Sequence, residues 1–199
     1  AILGLFEGVV TGAADGYARM TDTPAATLLH LGPGLANGLA NIHNARRAHT
    51  AMINIVGDHA VDHLKYDAPL TSDIVGVASP MSDWVRTSIS PSDLAVAGAE
   101  AVVASQIYPG QIATVIAPGD HAWTDGAKVA ACEKIPDAPK ARELDVLEAA
   151  AILGNKTRKS ALFLGGRALR EATLFQAGRV VAATGARIIC ETINARWQR

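Results

Sequence analysis

The chain has 199 residues, of which 49% are apolar and 19% charged, and this composition predicts a folded protein with a substantial hydrophobic core. The formal net charge of −1 excludes the strongly basic composition typical of proteins that bind nucleic acids or membrane surfaces. No apolar run is long enough to predict a membrane-spanning helix, and no signal peptide is visible. The two cysteines, Cys132 and Cys190, form no metal-type pair, which favours a reducing cytoplasm.

A carboxylate, Glu7, lies between the apolar run 2–6 and a helical segment over residues 9–19. Two interpretations of it are open. In the structural one, Glu7 interacts with free backbone N–H groups and the dipole at the beginning of the helix. In the functional one, it lies at the mouth of an α/β sheet, where apolar neighbours suit a proton-handling role. The chain lacks an initiator methionine and begins inside the apolar run, so we expect it to be part of a longer polypeptide.

Strand-like and helix-like segments then alternate along the chain. Apolar runs predict strands at 25–31, 51–57, 84–86 and 112–117, and helical patterns cover 35–48, 72–78 and 94–107. Strands that alternate with helices indicate a parallel sheet covered by helices on both faces. The predicted fold class is therefore α/β.

A glycine-rich loop, 29–37, is predicted between the first strand and the next helix, with Gly32-Pro33-Gly34 breaking the chain. A helix that begins straight after such a turn can approach a ligand with its backbone. The segment lacks the Gly-Lys-Thr/Ser of a Walker loop and the three-glycine spacing of the dinucleotide-binding motif, so it predicts neither.

Two histidines, His59 and His63, stand four residues apart beside aspartates after the second strand. This spacing superficially resembles a metal site. The segment has little helical pattern and no clear third ligand, so we expect an exposed loop and predict no metal-binding residues in this chain.

The composition changes near residue 124. Residues 124–142 contain Pro136, Pro139 and several charges and are predicted to be a linker between a first domain, 1–123, and a second α/β domain, 143–199. The second domain has predicted helices at 144–153 and 170–184 and strands at 160–164 and 187–191. Gly165-Gly166 could bind phosphate, but a tight turn is the preferred interpretation.

Three motifs follow one another at the beginning of the chain: Phe6-Glu7-Gly8, Ala14-Asp15-Gly16-Tyr17-Ala18-Arg19 and Gly32-Pro33-Gly34-Leu35-Ala36-Asn37-Gly38. In this order they resemble the thiamine-diphosphate-dependent decarboxylase and carboligase family, which includes acetolactate synthase large subunits and benzoylformate decarboxylase. This resemblance implies that residues 1–123 are a pyrimidine-binding domain without its first elements. It also implies that residues 143–199 begin a Rossmann-like central domain.

The family resemblance assigns roles to five residues. Glu7 matches the glutamate that activates the aminopyrimidine ring of the cofactor, and His30 matches an active-site histidine of benzoylformate decarboxylase that can relay protons. Pro33 and Asn37 match positions that line the pyrimidine pocket. Leu70 stands where acetohydroxyacid synthases carry glutamine and benzoylformate decarboxylase carries leucine, which favours a decarboxylase or an unassigned carboligase over an acetolactate synthase.

The resemblance also implies cofactors and partners. The cofactors are thiamine diphosphate and Mg²⁺, whose Gly-Asp-Gly…Asn motif is absent from these residues and is expected in a C-terminal domain outside them. In the family, that domain of a partner subunit completes the site, so a homodimer or homotetramer that acts on a 2-keto acid is expected. The parent protein is then an enzyme, and the chain by itself is expected to be inactive. The competing interpretation is a non-catalytic α/β module that docks a partner.

Overall fold

The computed structural model describes residues 1–198, and the chain divides into two compact units, Ala1–Asp137 and Ala138–Arg199. The first unit contains strands β1 to β4 and helices α1 to α5. The strands are Ala25–His30, Met52–Asp58, Trp84–Thr87 and Ile112–Pro118, and the helices are Glu7–Thr21, Leu31–Arg47, Ile74–Ala78, Pro91–Ser105 and Asp120–Trp123. The alternation of strands and helices that the sequence predicts is therefore present.

The four strands of the first unit form one sheet in the order β1-β2-β4-β3, and every neighbouring pair is parallel. His30 at the end of β1 is aligned with Gly57 in β2, and Asp58 at the end of β2 is aligned with Pro118 in β4. The carboxyl ends of β1, β2 and β4 therefore meet at one edge of the sheet. This is the edge at which open parallel sheets bind ligands.

Both faces of this sheet are covered, which confirms the predicted fold class. One core cluster joins the sheet to helices α1, α2 and α3 and includes Leu29, Ile42 and Ile116. A second cluster lies on the other face, where Ala97 and Ala101 of α4 pack against the strands. Helix α4 begins at Pro91, three residues before the predicted helix at 94–107, and the Ser90 side chain before it accepts a hydrogen bond from the backbone N–H of Asp93.

Buried polar side chains cross the centre of the sheet. The Thr27 hydroxyl donates to the side-chain oxygen of Asn54, Oδ1, at 2.8 Å, and the Asn54 side-chain amide donates to the Thr114 hydroxyl at 3.4 Å. The Ser82 and Thr114 hydroxyls lie 2.7 Å apart, which completes the row. Because each buried group has a partner, the row links three strands and the segment before β3 without leaving a polar atom unsatisfied.

The predicted loop at 29–37 is wrong: β1 ends at His30 and α2 begins at Leu31. Leu31 turns the chain with a left-handed φ of 58°, and Pro33 is tolerated because the first turn of a helix does not need its backbone N–H donor. Close packing, instead of chain breakage, explains the glycine at position 32. A Cβ atom there would lie 2.4 Å from the Ser72 side chain.

The second unit contains helices α6 and α7, Glu143–Gly154 and Glu171–Thr184, and strands β5 and β6, Ala161–Leu164 and Arg187–Cys190, which pair in parallel. Residues 124–142, the predicted linker, include the division between the units after Asp137 and form no helix or strand. The Gly165-Gly166 segment is a turn closed by a carboxylate, since the Gly166 N–H donates to Glu191 Oε1 at 2.6 Å. Assignment of the units to a pyrimidine-binding and a central domain stays a prediction.

None of the helices over residues 1–198 has the length and apolarity needed to cross a membrane.

Candidate functional site

Glu7 is the first residue of α1 and is half-buried. The apolar run before it contributes little shielding, because Ile2 and Leu5 are each 98% exposed. Phe6 has extended backbone angles and precedes the helix without a side-chain cap. The surroundings of the Glu7 carboxylate are therefore made by α2, which follows later in the chain.

The carboxylate of Glu7 lies against the first turns of α2. The Asn37 amide donates a hydrogen bond to Glu7 Oε2 at 3.1 Å. A Cβ atom added at Gly34 would lie 3.1 Å from Glu7 Oε1 and 3.5 Å from the Cβ of His30. Glycine at position 34 thus permits the carboxylate and the end of β1 to converge on the same turn of helix, and the structure brings Glu7, His30 and Asn37 together.

Helices α1 and α2 are fixed to one another by polar contacts beside the carboxylate. The Thr11 hydroxyl, which is fully buried, lies 2.9 Å from the carbonyl oxygen of Glu7 and 3.1 Å from that of Gly38. The Asn41 amide donates to the carbonyl oxygen of Gly8 at 2.6 Å. These contacts hold the backbone of Glu7 in register with α2, which is the kind of support that a positioned functional group needs.

His30 and Leu70 line one cavity of about 490 Å³ at the carboxyl ends of β1, β2 and β4. His30 is exposed, and the Leu70 side chain is 40% exposed on the loop that follows β2. The volume lies within the range typical of small-molecule pockets. The two residues that the sequence predicts for protonation and for substrate choice therefore face the same space.

The cavity has further walls that sequence reasoning missed. Asp58 is the last residue of β2, His59 and His63 follow it, and Trp123 comes from α5, which follows β4. The rings of His59 and His63 are 5.4 Å apart, and His59 Nε2 is shielded from solvent without a hydrogen-bond partner among the described residues. The position of the two histidines shortly after a strand could have identified them as residues that line the cavity. Trp123 could not be identified in this way, because only the strand order brings it to the same edge of the sheet.

Pro33 is exposed in the first turn of α2 and does not line this cavity. The roles predicted for Glu7, His30, Pro33, Asn37 and Leu70 stay predictions. Over residues 1–198, no group of three or more His, Cys, Asp or Glu side chains is arranged to hold a metal ion.

The beginning of the chain is similar in sequence to a known family. Residues 1–78 match the family described as thiamine pyrophosphate enzyme, N-terminal TPP binding domain, which confirms the predicted resemblance. A candidate acetolactate synthase large subunit of Mycobacterium tuberculosis, IlvX, is 52% identical over 198 residues, which is 100% of this chain and 38% of that protein.

Two further proteins are similar to the chain. Benzoylformate decarboxylase of Pseudomonas aeruginosa is 29% identical over 109 residues, covering 54% of this chain and 21% of its own length. The solved structure of a thiamine diphosphate-dependent 4-hydroxybenzoylformate decarboxylase of Rhodococcus jostii superimposes with a TM-score of 0.83 at 19% identity, over 95% of this chain and 36% of that one. This structural likeness shows the shared fold. The chain spans less than two fifths of the length of the mycobacterial relative and of the solved structure.

Proposed function

We propose that this chain provides the aminopyrimidine half of a thiamine-diphosphate site in an enzyme that acts on 2-keto acids. The observation that carries the proposal is the Glu7 carboxylate, which is held against the first turns of α2 by Asn37 and Gly34 within a segment that matches a TPP-binding domain. Glu7 is the residue that activates the ring in this proposal.

The residues present fit such a cofactor. Glu7 Oε2 accepts a hydrogen bond from Asn37, whereas Oε1 accepts none within the described residues and packs against a glycine that has no side chain. One carboxyl oxygen is therefore available to exchange a proton with a ring nitrogen. When bound, thiamine diphosphate supplies the electron sink that 2-keto acid decarboxylation requires.

His30 and Leu70 determine the chemistry that we propose for the neighbouring cavity. An imidazole can both accept and donate a proton, so His30 is suited to carry a proton to a carbon atom that has lost carbon dioxide, directly or through water. Leu70 presents hydrocarbon where a glutamine would offer a hydrogen bond to a second keto acid. The pair supports aldehyde release as the main outcome, with carboligation as the minor one.

The other half of the site is proposed to come from outside these residues. We assign the diphosphate and Mg²⁺ ligands to a C-terminal domain of a partner subunit in a cytoplasmic homodimer or homotetramer. Mg²⁺ requires several hard oxygen ligands, and residues 1–198 offer no cluster of three acidic or metal-ligating side chains. The 199-residue chain by itself should then bind thiamine diphosphate weakly and show no turnover.

The product of the full-length enzyme tests the proposed activity. Purified protein is supplied with thiamine diphosphate, Mg²⁺ and either pyruvate or benzoylformate, and aldehyde and acetohydroxyacid are quantified together. We expect aldehyde to form faster, and Leu70→Gln to increase the share of acetohydroxyacid. A wild-type enzyme that makes mainly acetolactate would contradict the role of Leu70, and absence of turnover on any 2-keto acid would contradict the proposed activity.

A further inference from the structure

A concave site of about 570 Å³ lies in the second unit, at the amino ends of β5 and β6. Four cationic side chains surround it: Lys156, Arg158 and Lys159 from the turn between α6 and β5, and Arg187 from the first position of β6. No acidic residue is among those that line it in the described part of the chain. The cavity thus combines ligand-sized volume with charge of one sign.

No contact within the described part of the chain neutralises the charges of these four side chains. Within residues 1–198, none of them forms an ion pair or a side-chain hydrogen bond. Other cations of the same unit behave differently: Arg142 is paired with Asp145, and Arg179 donates to Gln176. Four exposed positive charges without partners around one concavity repel each other, and a bound anion relieves that repulsion.

Helix dipoles account for only part of this charge. Helices α6 and α7 both end at this edge of the β5–β6 pair, and a helix C-terminus carries about −0.5 of an elementary charge, which favours nearby cations. Two helix ends therefore offset about one positive charge of the four. A local charge of about +3 remains, so capping of the helices does not explain the cluster.

The backbone around the cavity is held by hydrogen bonds. The Arg187 N–H donates to the Ser160 carbonyl oxygen at 3.0 Å, which joins the beginnings of the two strands. The turn that carries the lysines is closed by Asn155, whose side-chain oxygen accepts from the Thr157 N–H at 3.0 Å and from its hydroxyl at 2.7 Å. The cationic side chains therefore project from defined backbone positions, which lowers the ordering cost of ligand binding.

We propose that this cavity, here called the basic cavity and lined by Lys156, Arg158, Lys159 and Arg187, binds a ligand with two or more linked phosphate groups. A polyphosphate matches a charge of about +3 better than one phosphate or carboxylate does, and guanidinium groups bind phosphate oxygens bidentately. The site is separate from the Gly165-Gly166 turn at the other end of β5, where the Glu191 carboxylate already accepts the Gly166 N–H.

Calorimetric titration of the 199-residue chain with inorganic triphosphate tests the proposal without a thiamine ring. We expect saturable 1:1 binding that weakens as salt is raised, because the cations are exposed and screened. Arg158→Gln combined with Arg187→Gln should lower the affinity about tenfold, from roughly twofold to fivefold per charge. The matched control, Lys140→Gln with Arg179→Gln, removes the same charge from exposed positions of the same unit outside the cavity and should change the affinity less than twofold.

Further measurements distinguish the possible outcomes of this titration. An equal loss of triphosphate affinity in both double variants would overturn the proposal, because it would mean that the chain attracts the anion diffusely. Absence of saturable binding at low salt would also overturn it, because it would mean that no site exists. Amide NMR shifts should be confined to residues 156–161 and 184–187; shifts spread over both units would also count against it. Titration with ATP distinguishes a nucleotide from a bare polyphosphate, and either supports the site. Glu7→Gln should leave triphosphate affinity unchanged, so this test fails or succeeds independently of the proposed thiamine-diphosphate role.

Discussion

The two units of the chain differ in net charge and in how their charged side chains are paired. Ala1–Asp137 contains 7 Lys and Arg against 14 Asp and Glu, whereas Ala138–Arg199 contains 11 against 5. In the first unit, cations are paired across elements: Arg46 with Asp83, and Arg86 with Asp93 and Glu100. In the second, the four cations of the basic cavity have no acidic partner among the described residues, although Arg142 is paired with Asp145 in the same unit.

The units differ equally in their packing. The first has two core clusters that include side chains with no solvent exposure, such as Ile42 and Met52. In the second, the described buried apolar residues are Leu169, Ala177 and Ala186, while Phe163 and Phe175 are 72% and 67% exposed. Because burial of apolar surface is the main favourable term in folding, the stability of the chain should reside in the first unit.

The largest effect is expected at the edge of the first unit's sheet where His30 lies. His30→Ala in the full-length enzyme should slow aldehyde release roughly 10²–10⁴-fold, because a general acid is lost, and should leave thiamine diphosphate affinity almost unchanged. His43→Ala, an exposed histidine on α2, is the matched control and should keep wild-type turnover. If His30→Ala abolishes cofactor binding without a separate effect on protonation, His30 is structural.

A pair of core substitutions sharpens the comparison of packing. Ile42→Ala should lower the free energy of unfolding by about 2–5 kcal/mol, since this side chain is fully buried between α2 and the sheet. Ile188→Ala, which removes the same atoms from a position that is 42% exposed in β6, should cost less than about 1 kcal/mol. Urea unfolding followed by circular dichroism measures both, and equal losses would contradict the assignment of stability to the first unit.

The smallest effect concerns paired and unpaired arginines. Hydrogen bonding to Glu100 raises the pKa of Arg86, and this arginine ties β3 to α4. Arg86→Gln should cost about 1 kcal/mol or less, because the ions are partly exposed, and the loss should shrink as salt is raised. Arg158→Gln removes an unpaired cation and should leave stability unchanged or slightly higher. A larger loss at Arg158 would mean that the basic cavity is structural.

Much of the fold was predictable because its signals are local. Short apolar runs predict every strand of the first unit. The entrance to α2 was not predictable. A left-handed leucine is rare, so nothing in the sequence indicates that a helix begins at Leu31 directly after a strand ends at His30. Gly32-Pro33-Gly34 therefore had the appearance of a break.

The candidate sites were predictable only where one segment contains them. Glu7, His30 and Asn37 lie within short motifs, and their mutual contact follows from the packing of α1 on α2. Trp123 reaches the His30 cavity through the strand order β1-β2-β4-β3, and Arg187 joins the lysines of the basic cavity through the pairing of β5 with β6. Such convergence depends on long-range pairing, which periodicity does not encode.

The central claim is that the Glu7 carboxylate activates the cofactor, and proton exchange at its C2 atom tests this claim most directly. The full-length enzyme, loaded with thiamine diphosphate and Mg²⁺, is placed in deuterated buffer, and loss of the C2 proton signal is followed by quenched-flow ¹H NMR. Glu7→Gln keeps the shape of the side chain and should slow exchange roughly 10²–10⁴-fold. Glu143→Gln, which also replaces the first glutamate of a helix, should exchange at the wild-type rate. Wild-type exchange in Glu7→Gln would contradict the account.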